Sequence, residues 1–102
     1  PAGKIDPGED PVATAHRELL EETGYVAQSL EHLTTLHPVI SYSTEKIELY
    51  VARGLTLQER KLDDNEFLDV VLVEPAELMK QIKAGEVSDV KTIIGAFWVG
   101  QA

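Results

Sequence analysis

Residues 3–25 read GKIDPGEDPVATAHRELLEETGY, and the fold turns on how this stretch is parsed. Gly3, Pro7 and Gly8 make residues 1–10 a loop. Asp10-Pro11 then starts a helix, because an aspartate caps free backbone N–H groups and proline fits the first helical position. Val12, Ala15, Leu19 and Leu20 recur at helical spacing and carry the helix to about Thr23, where Gly24 supplies a left-handed stop. Glu21 and Glu22 fall at i+3 and i+4 from Glu18, so the three carboxylates share an arc of about 100°. Like charges at these spacings destabilise a helix by a few tenths of a kcal/mol per pair. A hard divalent cation such as Mg²⁺ or Mn²⁺ offsets that repulsion and brings with it affinity for phosphate oxygens. Arg17 beside the cluster can pair with a carboxylate such as Glu9. The triplet alone also fits a solvated acidic helix face.

Working outward, Tyr25–Val39 reads as a strand and Tyr42-Ser43-Thr44 as a turn. Glu45–Arg53 alternates, with Ile47, Leu49 and Val51 on one face and Glu48 and Tyr50 on the other, as in a half-buried strand paired in a hairpin. Leu55–Asn65 is polar and reads as a loop; Phe67–Val73 reads as a buried strand. Pro75–Ile82 is a helix closed by Gly85, and Val90–Trp98 a last helix. The class is α/β (α+β) with a mixed or antiparallel sheet. Three strands leave an open sheet edge, so strands upstream of Pro1 are expected to complete the sheet in the full protein.

A chain of 102 residues with 43% hydrophobic residues is one small globular domain, 1–102. Nine Lys plus Arg against eighteen Asp plus Glu give a net charge of −9. That argues against nucleic acid and against anionic membranes as partners, since both require clustered cations. An anionic ligand then needs a bound cation. With no cysteine there is no disulfide, thiolate catalysis or Cys-zinc site, which fits a reducing, cytoplasmic compartment. No apolar run reaches the roughly 18 residues of a membrane span.

The opening stretch resembles the Nudix box, G-x5-E-x7-R-E-U-x-E-E-x-G-U with U a bulky apolar residue. Gly3, Glu9, Arg17-Glu18, Leu19, Glu21-Glu22 and Gly24 fall on its fixed positions, and the aromatic Tyr25 is a looser fit at the last. The resemblance implies a Nudix-type mixed sheet sandwiched by helices, here without its N-terminal strands, and a strand-loop-helix metal site. It implies Glu18, Glu21 and Glu22 as metal ligands, Glu9 as an auxiliary ligand, Arg17 as its structural partner, and the backbone carbonyl of Ala2 as a further ligand. The expected chemistry is metal-dependent hydrolysis of a nucleoside diphosphate linked to another moiety, with Mg²⁺ or Mn²⁺.

The flanks narrow the substrate. Pro1-Ala2-Gly3-Lys4-Ile5-Asp6 resembles the lead-in of ADP-ribose pyrophosphatases, and softer likeness runs through 37–47, 64–70 and 89–92. Many such relatives carry Ser-Pro-Gly where this chain has Val39-Ile40-Ser41, which bears on sugar preference. Those relatives also place a general base or extra ligand on a loop; Glu66 is the first candidate here and Asp64 the second, and Glu45 is a candidate for orienting a loop. His16, His32 and His37 read as surface or packing residues, Phe97 and Trp98 as core, and Lys91 as a surface lysine at a helix start. The expected enzyme is an ADP-ribose pyrophosphatase-like Nudix hydrolase, a homodimer acting on a nucleoside diphosphate sugar. The alternatives are a nucleoside triphosphate pyrophosphohydrolase of the same superfamily and a non-catalytic Nudix-like module; inactive versions lose a box glutamate, and all are present here.

Overall fold

The structure, a computed structural model, describes residues 1–58 and 70–101. The element order is α1 (Pro11–Thr23), β1 (Tyr25–Leu36), β2 (Ile47–Leu57), α2 (Pro75–Lys83) and α3 (Val90–Gly100). Among the described residues the sheet has two strands, β1 and β2. They run antiparallel: the Gln58 amide donates to the Gly24 carbonyl (2.6 Å) at one end, and Thr35 Oγ1 donates to Glu48 Oε2 (2.9 Å) at the other. Between these lie the Arg53–Glu31 ion pair (2.7 Å) and an edge-on His32–Tyr50 ring contact, 5.3 Å between centroids. The α+β class therefore holds.

Local signals set the borders of α1. The Asp10 carboxylate accepts from the amides of Val12 (3.2 Å) and Ala13 (3.3 Å), and Pro11 opens the first turn. Gly24 ends the helix at φ 80°, in the left-handed region where a side chain is strained, with its amide on the Leu20 carbonyl (2.9 Å).

The chain divides into two compact units. The first comprises Pro1–Leu33 and Tyr50–Val70; the second comprises Thr34–Leu49 and Val71–Ala102. In the first unit α1 follows the glycine-rich loop, Ala27 of β1 is buried, and so is Thr14 of α1, whose hydroxyl donates to the Asp10 carbonyl (3.1 Å). Ala15, Leu19 and Leu20 are half-buried, but Val12, expected on the same stripe, is exposed. In the second unit α2 packs on α3. Asp89 caps α3, accepting from the Thr92 amide (3.0 Å) and hydroxyl (2.8 Å), and pairs with Lys91 (2.8 Å).

Three expectations need correction. Strand β2 continues through Gly54 to Leu57, where a loop was expected. Gly54 permits this: it adopts φ 69°, and a Cβ there would strike the Gln28 side chain on the opposite strand. The apolar run expected as a buried strand over Phe67–Val73 forms no strand in its described part, 70–73, and Leu72 is 77% exposed. Phe97 and Trp98, expected in the core, are half-exposed; with Ile93, Ile94 and Gln101 they line an open apolar concavity of about 430 Å³ on α3.

Candidate active site

The loop of residues 1–10 and helix α1 bring the acidic residues of the opening stretch onto one guanidinium. Arg17 Nε donates to Glu9 Oε2 (2.9 Å) and Nη2 to Glu9 Oε1 (3.0 Å), a bidentate pair. Nη1 donates to both Glu18 Oε1 (2.9 Å) and Glu21 Oε2 (3.1 Å). Nη2 also reaches the Lys4 carbonyl (3.4 Å) and lies 3.5 Å from Asp6 Oδ2. One cation thus gathers side chains of the loop, Asp6 and Glu9, and of the helix, Glu18 and Glu21.

Glu22 turns elsewhere. Its Oε2 accepts from the Ala2 amide (2.9 Å), which ties the start of the chain to the last turn of α1. Gly3 lies between these two anchors, and a Cβ on it would collide with the carboxyl group of Glu18. Gly3 is therefore required for space: its backbone is not among the left-handed glycines. The Asp6 amide donates to Glu9 Oε1 (3.2 Å), so the loop itself helps to aim Glu9.

The electrostatics follow from this geometry. Hydrogen bonding to Arg17, reinforced by Thr14, holds the Glu9 carboxyl at a pKa of about 2, against an ordinary 4.5. Glu9, ahead of Glu21 and Glu18, raises the pKa of Arg17 and fixes its charge. Glu18 moves the other way: burial raises its pKa, and the neighbouring Glu21 and Glu22 charges add to that against the pull of Arg17. The crowding expected from the spacing thus acts on Glu18. Among the described residues no three acidic or histidine side chains converge on a common point.

Glu66 and Asp64 lie outside the described residues. Glu45 lies in the second unit, exposed, with its amide on Ser43 Oγ (3.0 Å). His16 is half-buried on α1, His37 is exposed, and Lys91 is held by Asp89. Two roles were not read from the sequence. Asp6 joins the Arg17 cluster, and Gly3 acts as the seat of Glu18; the fixed glycine at the head of the spacing pattern was the signal for the second.

The profile of the NUDIX domain matches residues 1–93. The chain belongs to the Nudix family. It is 43% identical over 96 residues to the methanol dehydrogenase activator of Bacillus methanolicus, covering 92% of this chain and 52% of that protein. It is 39% identical over 94 residues to the ADP-ribose pyrophosphatase of Bacillus subtilis, covering 90% and 51%. A crystal structure of an ADP compounds hydrolase superposes with a TM-score of 0.84 at 31% identity, covering 97% of this chain and 54% of that one. This Nudix chain therefore spans about half the length of the relatives it matches, and the resemblance to ADP-ribose pyrophosphatases stands.

Nudix hydrolases generally use divalent metal ions. The donor set here fits one: Glu9, Glu18, Glu21 and Glu22 offer only hard carboxylate oxygens, with the backbone of Ala2 against Glu22. Among the described residues no helix is long and apolar enough to cross a membrane.

Proposed function

We propose that this protein is a Mg²⁺-dependent pyrophosphohydrolase that cleaves the diphosphate of ADP-ribose or a related nucleoside diphosphate sugar. Water adds across the P–O–P linkage, giving AMP and ribose 5-phosphate from ADP-ribose. The observation that carries the reading is the intact box, folded so that Glu9, Glu18 and Glu21 meet on Arg17 and Glu22 lies one turn along on Ala2. Relatives named ADP-ribose pyrophosphatase and ADP compounds hydrolase support the substrate class.

Glu18, Glu21 and Glu22 would hold Mg²⁺, or Mn²⁺ in its place, with Glu9 and the Ala2 carbonyl as further ligands. When bound, the ion supplies Lewis-acid polarisation of the phosphoryl oxygens and lowers the pKa of water. Arg17 keeps Glu9 ionised and aimed through its bidentate grip. Gly3 lets the Glu18 carboxyl lie flat against the loop backbone. Glu66 is the proposed general base, taking the proton of the attacking water. The proposal includes residues 1–102 as the C-terminal portion of one Nudix domain, in a homodimeric cytoplasmic protein.

The test is a substrate panel on the full-length protein with Mg²⁺. AMP plus a sugar phosphate supports the reading. Pyrophosphate plus a nucleoside monophosphate from triphosphates, with diphosphate sugars untouched, would replace it.

A further inference from the structure

The guanidinium of Arg17 and a divalent ion require the same carboxylates. Nη1 is shared between Glu18 Oε1 and Glu21 Oε2, both proposed ligands. Nε and Nη2 are committed to Glu9 by two parallel bonds. The two halves of the guanidinium therefore have separate partners. With Glu18 and Glu21 drawn to Nη1 and Glu22 drawn to the Ala2 amide, no three acids converge among the described residues.

We propose that Arg17 is an internal competitor for the metal: it holds Glu18 and Glu21 through Nη1, and releases them to a divalent ion while Nε and Nη2 stay on Glu9. This rests on the metal-dependent reading above. The asymmetry of strength decides which bonds give. A bidentate arginine–carboxylate pair is the stronger geometry. The single bonds to Glu18 and Glu21 come from a nitrogen on a side chain that is 31% exposed, and such pairs contribute little each. Two further groups bear on the same cation: Asp6 lies 3.5 Å from Nη2 and the Lys4 carbonyl 3.4 Å, both on the Glu9 side, where they reinforce the anchor. Arg17 is in this account a positioning residue whose grip sets the concentration of ion at which the acids reorganise. It also offsets one of the cluster's negative charges until then.

Two measurements on the full-length protein test this. In the first, arginine is labelled with ¹⁵N and Mg²⁺ is titrated in without substrate. The Nη resonances of Arg17 should move or broaden while its Nε–H resonance keeps its salt-bridged position. In the second, Mn²⁺ affinity is measured by electron paramagnetic resonance for wild type, for Glu9→Gln, in which the anchor is already lost, and for Glu9→Gln combined with Arg17→Gln or with Arg17→Lys. Removing the two partly buried Nη1 pairs predicts binding about threefold to tenfold tighter when Arg17→Gln is added than in Glu9→Gln alone. Adding Arg17→Lys, which keeps the charge but lacks the fork, should fall between. Arg17 resonances unmoved at saturating Mg²⁺, or Mn²⁺ binding in both double variants equal to or weaker than in Glu9→Gln, overturns the inference and leaves the metal reading intact. Wild-type protein that binds no Mn²⁺ overturns both. If the double variant with Arg17→Gln does not fold, the wild-type titration and the one with Arg17→Lys decide alone.

Discussion

Replacing Gly3 with Ala separates the demands of the site from those of the fold. A Cβ at this position runs into Cδ and both carboxylate oxygens of Glu18, the far end of a flexible side chain. Glu18 therefore moves and the backbone does not. Its departure breaks the 2.9 Å bond from Arg17 Nη1, a partly exposed pair worth about 0.2–1 kcal/mol. Against that, Gly→Ala at a position without left-handed φ stabilises by about 0.4–1 kcal/mol through the unfolded chain. The two nearly cancel, so urea unfolding of the variant should match wild type within about 1 kcal/mol. Activity should not match. Misplacing a metal ligand or its support lowers metal affinity or turnover by about 10–100-fold. The assay is AMP release from ADP-ribose with Mg²⁺ by the full-length protein, beside a urea melt followed by circular dichroism. Wild-type activity in Gly3→Ala would refute the claim that Glu18 must lie against the loop. A stability loss of several kcal/mol would show that Gly3 serves the fold instead.

Other outcomes follow from the same geometry. The depressed pKa of Glu9 means its ionised form stabilises the folded state fully above about pH 4.5, and that contribution is lost as pH falls from 4.5 through about 2. Acid unfolding followed by circular dichroism should therefore have a component in that window that Glu9→Gln lacks; identical acid profiles would contradict it. Asp10→Ala removes the two amide bonds at the start of α1 and should cost about 1 kcal/mol in urea unfolding, with Asp10→Ser restoring most of it.

The helical half of the fold was legible because its signals are local. Asp10, Pro11 and Gly24 each act through their own backbone or the next turn, and α1 begins and ends where they place it. The sheet was less legible because strands depend on partners. The alternation ends at Arg53 and a polar loop was expected from Leu55, yet the amide of Gln58 finds the Gly24 carbonyl across the hairpin and the strand continues through Leu57. Val70–Val73 has strand composition, but composition supplies no hydrogen-bonding neighbour, and the segment forms neither strand nor helix. In the site, the Arg17–Glu9 pair could be anticipated from charge alone. The hold of Nη1 on Glu18 and Glu21 could not, because spacing gives the helix face and leaves the side-chain direction to the nearest counter-charge. The same holds for Glu22, whose partner is a backbone amide twenty residues away.

In the proposed reaction the box glutamates of this Nudix chain hold a metal at the diphosphate of a nucleoside diphosphate sugar. This is tested most directly by hydrolysis of ADP-ribose by the full-length protein, wild type against Glu22→Gln, with Mg²⁺ and with chelator. Wild type should give AMP and ribose 5-phosphate with Mg²⁺ and none with chelator, and Glu22→Gln should lose at least about 100-fold with its circular dichroism spectrum unchanged. Turnover that persists in chelator, or in a folded Glu22→Gln protein, would contradict this role of the glutamates.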